Sequence, residues 1–112
     1  IDLHNDESGK LHVSRPERDA EPYLARMKRF EELLRKHSHF TEGSTGAGFR
    51  NPGSFGESLL ARHGVTACVL ELNANWIAGI NDYPTSAAWQ RFGQQLCTVL
   101  EQYFREEGRP AR

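Results

Sequence analysis

Val65-Thr66-Ala67-Cys68-Val69-Leu70-Glu71-Leu72 is the stretch whose reading decides the fold. Its apolar residues fall on both faces of an extended chain, as in a central parallel strand covered by helices. Just before it, Ser54-Phe55-Gly56-Glu57 has the spacing of a capping box: the serine oxygen accepts from the Glu57 amide and Glu57 reaches back. A short helix is therefore expected from Phe55 to about His63, with Gly64 in the left-handed position that ends it. Helix, glycine, then buried strand is an α/β unit. Beyond the strand, residues 74–84 read as a loop, and Thr85 or Ser86 can cap a last helix. Ala88, Trp89, Phe92, Leu96, Val99, Leu100 and Tyr103 give that helix a stripe of period 3.6, and we read these aromatics as core. The polar tail after Arg105 is expected to fray.

Upstream, Ile1-Asp2-Leu3-His4 alternates apolar and polar residues like a strand with one dry face. Leu11 to Ser14 reads as a second short strand after a turn at residues 7–10. Residues 14–20 are charged, contain Pro16 and read as loop. A helix follows from Glu21-Pro22, with Tyr23, Leu24, Met27, Phe30, Leu33 and Leu34 on one face. Its charged residues form a solvated face. Residues 42–56 carry five glycines and Pro52, and are expected to be the loosest loop. The fold class read from these elements is α/β: a partial three-layer sheet with flanking helices.

Composition narrows the function classes. The chain has 112 residues, 38% of them hydrophobic and 26% charged, and a net charge of −1. One small α/β unit is expected, with a modest core. Mixed charge offers no field for a phosphate backbone, so no nucleic-acid partner is expected. No apolar run is long enough to span a bilayer, so no membrane partner is expected either. The two cysteines, Cys68 and Cys97, make no CxxC, which argues against a disulfide scaffold or a cysteine-rich zinc site. The compartment is left open. The chain opens on Ile1-Asp2-Leu3-His4 without an initiator Met, which reads like the middle of a strand. The expectation is a fragment, residues 1–112, of a larger catalytic domain whose first part lies upstream.

Two residues carry the chemistry. Glu71 sits inside Val69-Leu70-Glu71-Leu72, where a carboxylate is costly to desolvate unless paired or tuned. It also lies near the C-terminal end of a strand, where open α/β sheets place their ligand crevices. Pattern alone also allows a glutamate that points to solvent or bonds a loop amide. His4 likewise ends a strand-like segment. As a metal ligand it would need an orienting partner such as Asp2, Asp6 or a backbone carbonyl; a structural histidine is the alternative. Together, His4 and Glu71 fit metal-assisted hydrolysis.

Ile1-Asp2-Leu3-His4-Asn5-Asp6 resembles the strand of zinc carboxypeptidases that ends in the third zinc ligand. Val69-Leu70-Glu71-Leu72-Asn73 resembles their later strand bearing the general-base glutamate. The order and spacing of the two, and the closing helix after Pro84-Thr85-Ser86-Ala87-Ala88-Trp89, extend the resemblance over essentially the whole chain. It implies the C-terminal part of a zinc-carboxypeptidase-like (phosphorylase/hydrolase-like) domain. His4 would be the later zinc ligand and Glu71 the base acting on a zinc-activated water. Such an enzyme removes C-terminal residues from peptides. The family's His-x-x-Glu pair and its substrate-gripping arginines would lie upstream, so the isolated chain is expected to be inactive.

Two departures from that family matter. His4-Asn5-Asp6-Glu7 has His-x-x-Glu spacing, but no later histidine fits behind a strand; His37, His39 and His63 lie in or beside helical stretches. We read the spacing as coincidental and Glu7 as the start of a turn. The family's mobile tyrosine also has no counterpart between Tyr23 and Tyr83. Phe49 and Arg50 stand in that stretch as candidate substrate-binding residues: Arg50 could grip a carboxylate or be an exposed loop charge. The substrate class therefore stays open between a peptide and an N-acyl amino acid, the latter as in aspartoacylase or succinylglutamate desuccinylase. A non-catalytic α/β packing or interaction fragment is the third reading. A sheet cut between strands would expose an edge, and pairing of two copies through that edge is a further expectation.

Overall fold

A computed structural model describes residues 1–14, 20–41, 44–49 and 53–107. In chain order the elements are β1 (Asp2–Asp6), β2 (Lys10–Ser14), α1 (Ala20–His37), β3 (Ser44–Phe49), α2 (Phe55–His63), β4 (Cys68–Asn73) and α3 (Ser86–Glu107). The four strands form one mixed sheet in the order β1-β4-β2-β3. β4 runs parallel to β1 and antiparallel to β2, and β2 runs parallel to β3. The chain thus folds into the expected α/β class, a sheet with flanking helices.

The turn between β1 and β2 is set by Asp6. Its carboxylate accepts from the backbone N–H groups of Ser8 (2.7 Å) and Gly9 (3.2 Å) and from the Ser8 hydroxyl. These bonds, led by the Ser8 amide, hold the Asp6 pKa below the ordinary carboxylate value. Gly9 takes φ +64°, which lets the chain reverse. The reversal does not make a hairpin. β1 and β2 are held apart by β4, which inserts between them after more than fifty intervening residues.

Local signals are obeyed where they were strongest. Ser54 Oγ accepts from Glu57 N at 3.4 Å, and Gly64 ends α2 at φ +64° with its amide on the Leu59 and Leu60 carbonyls. At α3 the cap is Thr85 rather than Ser86: its hydroxyl accepts from Ala88 N at 3.1 Å. Pro22 falls in the first turn of α1, where a missing N–H costs no helical bond.

Two expectations are corrected. The stretch 42–56 is not all loop, because it contains β3. Ser44-Thr45-Gly46-Ala47-Gly48-Phe49 lacks the bulky branched residues that mark strands; its backbone pairs with β2 across a register shift at Val13/Ser14. β4 begins at Cys68, not Val65. Residues 65–67 are held outside the ladder, with Val65 exposed and the Ala67 carbonyl bonded to a side chain.

That side chain is Tyr23, 2% exposed. Its hydroxyl donates to Ala67 O (2.8 Å) and accepts from Ser14 N (2.9 Å). One α1 residue thereby fixes the exit of β2 and the entry to β4. Around it Leu11, Val13, Leu34, Leu70, Phe92 and Val99 form the core between the sheet and helices α1 and α3. Phe30 meets Tyr103 edge to face at 5.9 Å where the two helices cross.

The chain leaving α1 is buried in an unusual way. His39 is 7% exposed, its backbone N–H donates to Gln95 Oε1, and its ring stacks on Phe92 at 5.1 Å. Among the described residues neither ring nitrogen has a hydrogen-bond partner. Burial, and secondarily the charge of Arg91, lowers the His39 pKa below its ordinary value. The fold therefore favours neutral His39. The stability this confers is present above the unfolded value of about 6.5 and is lost as pH falls from there through the folded value. The urea midpoint is expected to drop between about pH 7 and pH 5. His39→Phe should flatten that drop; an unchanged profile would contradict the assignment.

Candidate functional site

β1 and β4 lie side by side in register, with Asp2 opposite Val69, His4 opposite Glu71 and Asp6 opposite Asn73. Side chains alternate along a strand, so His4 and Glu71 project from the same face. That face is the one turned away from Cys68 and Leu70, which point into the core. The two candidate residues are therefore cross-strand neighbours.

Their geometry leaves both available. His4 Nδ1 lies 4.0 Å from Glu71 Oε1, beyond hydrogen-bond distance, so neither group consumes the other. The other imidazole nitrogen, Nε2, lies 3.1 Å from Asp2 Oδ1. Of the orienting partners expected for His4, the fold selects Asp2, two residues earlier on the same face. Asp6 is committed to its turn. A carboxylate on one imidazole nitrogen turns the opposite nitrogen outward as a donor, the arrangement common to metal-ligating histidines. On its other flank, across β4, Glu71 faces Lys10 of β2 in register. Sequence reading missed Lys10, because only the insertion of β4 between β1 and β2 brings it there.

Exposure is uneven across this group. The Glu71 side chain is 17% exposed, whereas that of His4 is 54% exposed. Asn5 and Leu3 of β1 are also exposed, and β1 is an edge strand. Glu71 is thus sheltered by β4's two neighbours, while His4 stands on an uncovered rim.

Other sequence candidates fall elsewhere. Glu7 lies in the turn after β1, exposed, with its carbonyl accepting from Asn73 Nδ2 at 3.0 Å. Phe49 ends β3, but its side chain lies outside the described part, as does Arg50. Cys68 and Cys97 are both free, and burial pushes the Cys68 thiol up to about 11, which leaves it inert as a thiolate. No described helix is long and apolar enough to cross a membrane.

A catalytic zinc takes three protein ligands and keeps a fourth position open. His4, oriented by Asp2, fits one of those ligands. Among the described residues, however, no group of three or more His, Cys, Asp or Glu side chains could hold a metal. The described residues alone do not fit a catalytic zinc.

No protein-family model matches this sequence, and no curated protein matches it. A solved structure does: 96% of the chain superimposes on 30% of a metallo-carboxypeptidase from Burkholderia cenocepacia, with a TM-score of 0.81. The likeness is one of fold. At 12% identity it carries the arrangement of strands and helices, and the chain spans about 30% of the length of the structure it matches.

Proposed function

We propose that this chain is the part of a metallo-carboxypeptidase-type hydrolase domain that carries the general base, Glu71, and one zinc ligand, His4. The observation that supports this most is the register of β1 and β4. It sets an outward imidazole nitrogen 4.0 Å from a sheltered carboxylate, with Asp2 behind the imidazole. The fold it shares with a metallo-carboxypeptidase supports the same reading.

The remaining ligands come from outside the described residues. Two features argue for that: the ligand set among the described residues is short, and His4 is half exposed on an edge strand, where water is not excluded. Further chain covering β1 would supply both ligands and shelter. When bound, zinc would polarise the scissile carbonyl and acidify a water molecule. The work of the chain's own residues is separate from that. Glu71 takes the proton of the attacking water and returns it to the leaving amine. Asp2 fixes the imidazole tautomer and the direction of Nδ1. Lys10 stands opposite Glu71 in register on β2.

The test is hydrolysis by the protein carrying the remaining ligands. Release of C-terminal residues from peptides, stopped by a chelator and restored by zinc, is the expected result. Activity confined to N-acyl amino acids would move the assignment to a deacylase. No zinc-dependent hydrolysis of either class would leave a packing or interaction role and overturn the proposal.

A further inference from the structure

β1 and β4 end side by side, with Asp6 opposite Asn73 in register. His4 and Glu71 lie two residues back from these ends and on the same face, because side chains alternate along a strand. Whatever holds the two ends together therefore holds the facing of His4 and Glu71. Among the described residues β1 has one strand neighbour, β4. Its place in the sheet depends on ties to that strand.

Asn73 supplies such a tie. Its Nδ2 donates to Glu7 O, just beyond β1, at 3.0 Å. Beside it, Ala74 N donates to Asp6 O at 2.8 Å. The other end of the Asn73 amide faces its own loop: Oδ1 accepts from the backbone N–H groups of Asn75 (2.8 Å) and Trp76 (3.0 Å). One side chain thus holds the exit of β1 with its donor and the start of the loop after β4 with its acceptor. The parts it joins are themselves fixed. Asp6 is committed to Ser8 and Gly9, and a Cβ on Gly9 would sit 3.6 Å from that of Asn73. Downstream, backbone bonds between Ile77 and Asp82 close the loop.

Asparagine suits this place because one short side chain carries a donor and an acceptor with two lone pairs. Both lone pairs of Oδ1 are taken by backbone amides. Asn73 therefore acts through the strands it holds and not as a reacting group. Reacting groups are sensitive to such support: a misplacement of about 1 Å, caused by a change away from the chemistry, can cost about 10²-fold in rate. We infer that Asn73 is a positioning residue for the reaction: its Nδ2 bond to Glu7 ties β1 to β4 and keeps His4 facing Glu71. The inference rests on the catalytic roles proposed above for those two residues.

Two variants separate the two ends of the amide. Asn73→Ala loses both, whereas Asn73→Asp keeps acceptors for Asn75 and Trp76 but has no proton for Glu7 O. In the protein carrying the remaining ligands, both should lower kcat about tenfold or more, with KM within about twofold and zinc content unchanged. Ser54→Ala, which removes the cap of α2, is the control for lost stability: it should lower the melting temperature and leave kcat as in wild type. Amide hydrogen exchange in the 112-residue chain reads the tie without activity. In both Asn73 variants the amide of Ala74 and those joining β1 to β4 should exchange about tenfold faster or more, while those joining β2 to β4 stay as in wild type. Unchanged exchange, wild-type kcat in Asn73→Asp, or an equal fall of kcat in Ser54→Ala would overturn the positioning role. An active wild type with unaffected Asn73 variants overturns that role alone. No zinc-dependent hydrolysis by the wild type would overturn the catalytic reading and the positioning role with it.

Discussion

Glu71→Gln is expected to lower turnover of the catalytic protein by about 10²–10⁴-fold, the usual contribution of a general base. Glutamine keeps the size of the side chain and one oxygen acceptor but cannot take a proton. The strand should be undisturbed, because β4 is held by backbone pairing on both sides and by Leu70, fully buried beside Glu71. Zinc content should be unchanged, since in the proposed site His4 has the ligand role and Glu71, 4.0 Å from His4 Nδ1, the base role. The signature is therefore a fall in kcat with the melting temperature and metal content preserved. A variant with full activity would remove Glu71 from the mechanism. A variant that lost its metal would make Glu71 a ligand instead of a base.

Gly79→Ala is expected to be the most damaging small substitution in the loop after β4. A Cβ placed on Gly79 would lie 2.1 Å from the His39 carbonyl oxygen and 2.7 Å from its carbon. Those atoms are backbone, so no rotamer change can relieve the overlap; either the loop or the chain leaving α1 must move. The loop resists, because residues 77–82 are closed on themselves by backbone bonds and Asn81 already sits at φ 53°. His39 resists too, stacked on Phe92 and bonded to Gln95. Overpacking of this kind costs about 3 kcal/mol, which for a domain of this size lowers the melting temperature by roughly 13 °C. Gly93→Ala is the control. Gly93 lies within α3, and a Cβ there meets nothing within 4 Å. That change should stabilise by about 0.5–1 kcal/mol through helix propensity. Thermal melts of the two variants should move in opposite directions; a Gly79→Ala melt at the wild-type temperature would contradict the packing described.

The legible parts of the fold are those written locally. Ser54, Glu57 and Gly64 bound α2 through contacts three to six residues apart, and the apolar stripes of α1 and α3 mark their buried faces. β3 was illegible because Gly46, Ala47 and Gly48 outweigh the strand preference of Thr45 and Phe49; β2 recruits it through main-chain bonds. Strand order was illegible for a related reason. Nothing in Val65 to Leu72 says that it inserts between two strands already joined by a three-residue turn. The site shares this division. Each of His4 and Glu71 could be seen ending a strand, but their facing register, the choice of Asp2 over Asp6 and the approach of Lys10 follow from that insertion. The tie from Asn73 to Glu7 went unread because 66 residues separate the two. One local sign was present: Asn73 ends a strand two and three places before Asn75 and Trp76, the spacing at which an asparagine side chain bonds the backbone ahead of it.

Zinc stoichiometry tests the central claim most directly. The protein carrying the remaining ligands should hold one zinc per chain and lose it on His4→Ala, while the 112-residue chain alone should retain far less than one after dialysis. One zinc held tightly by the 112-residue chain, or a metal content that survives His4→Ala, would contradict the account.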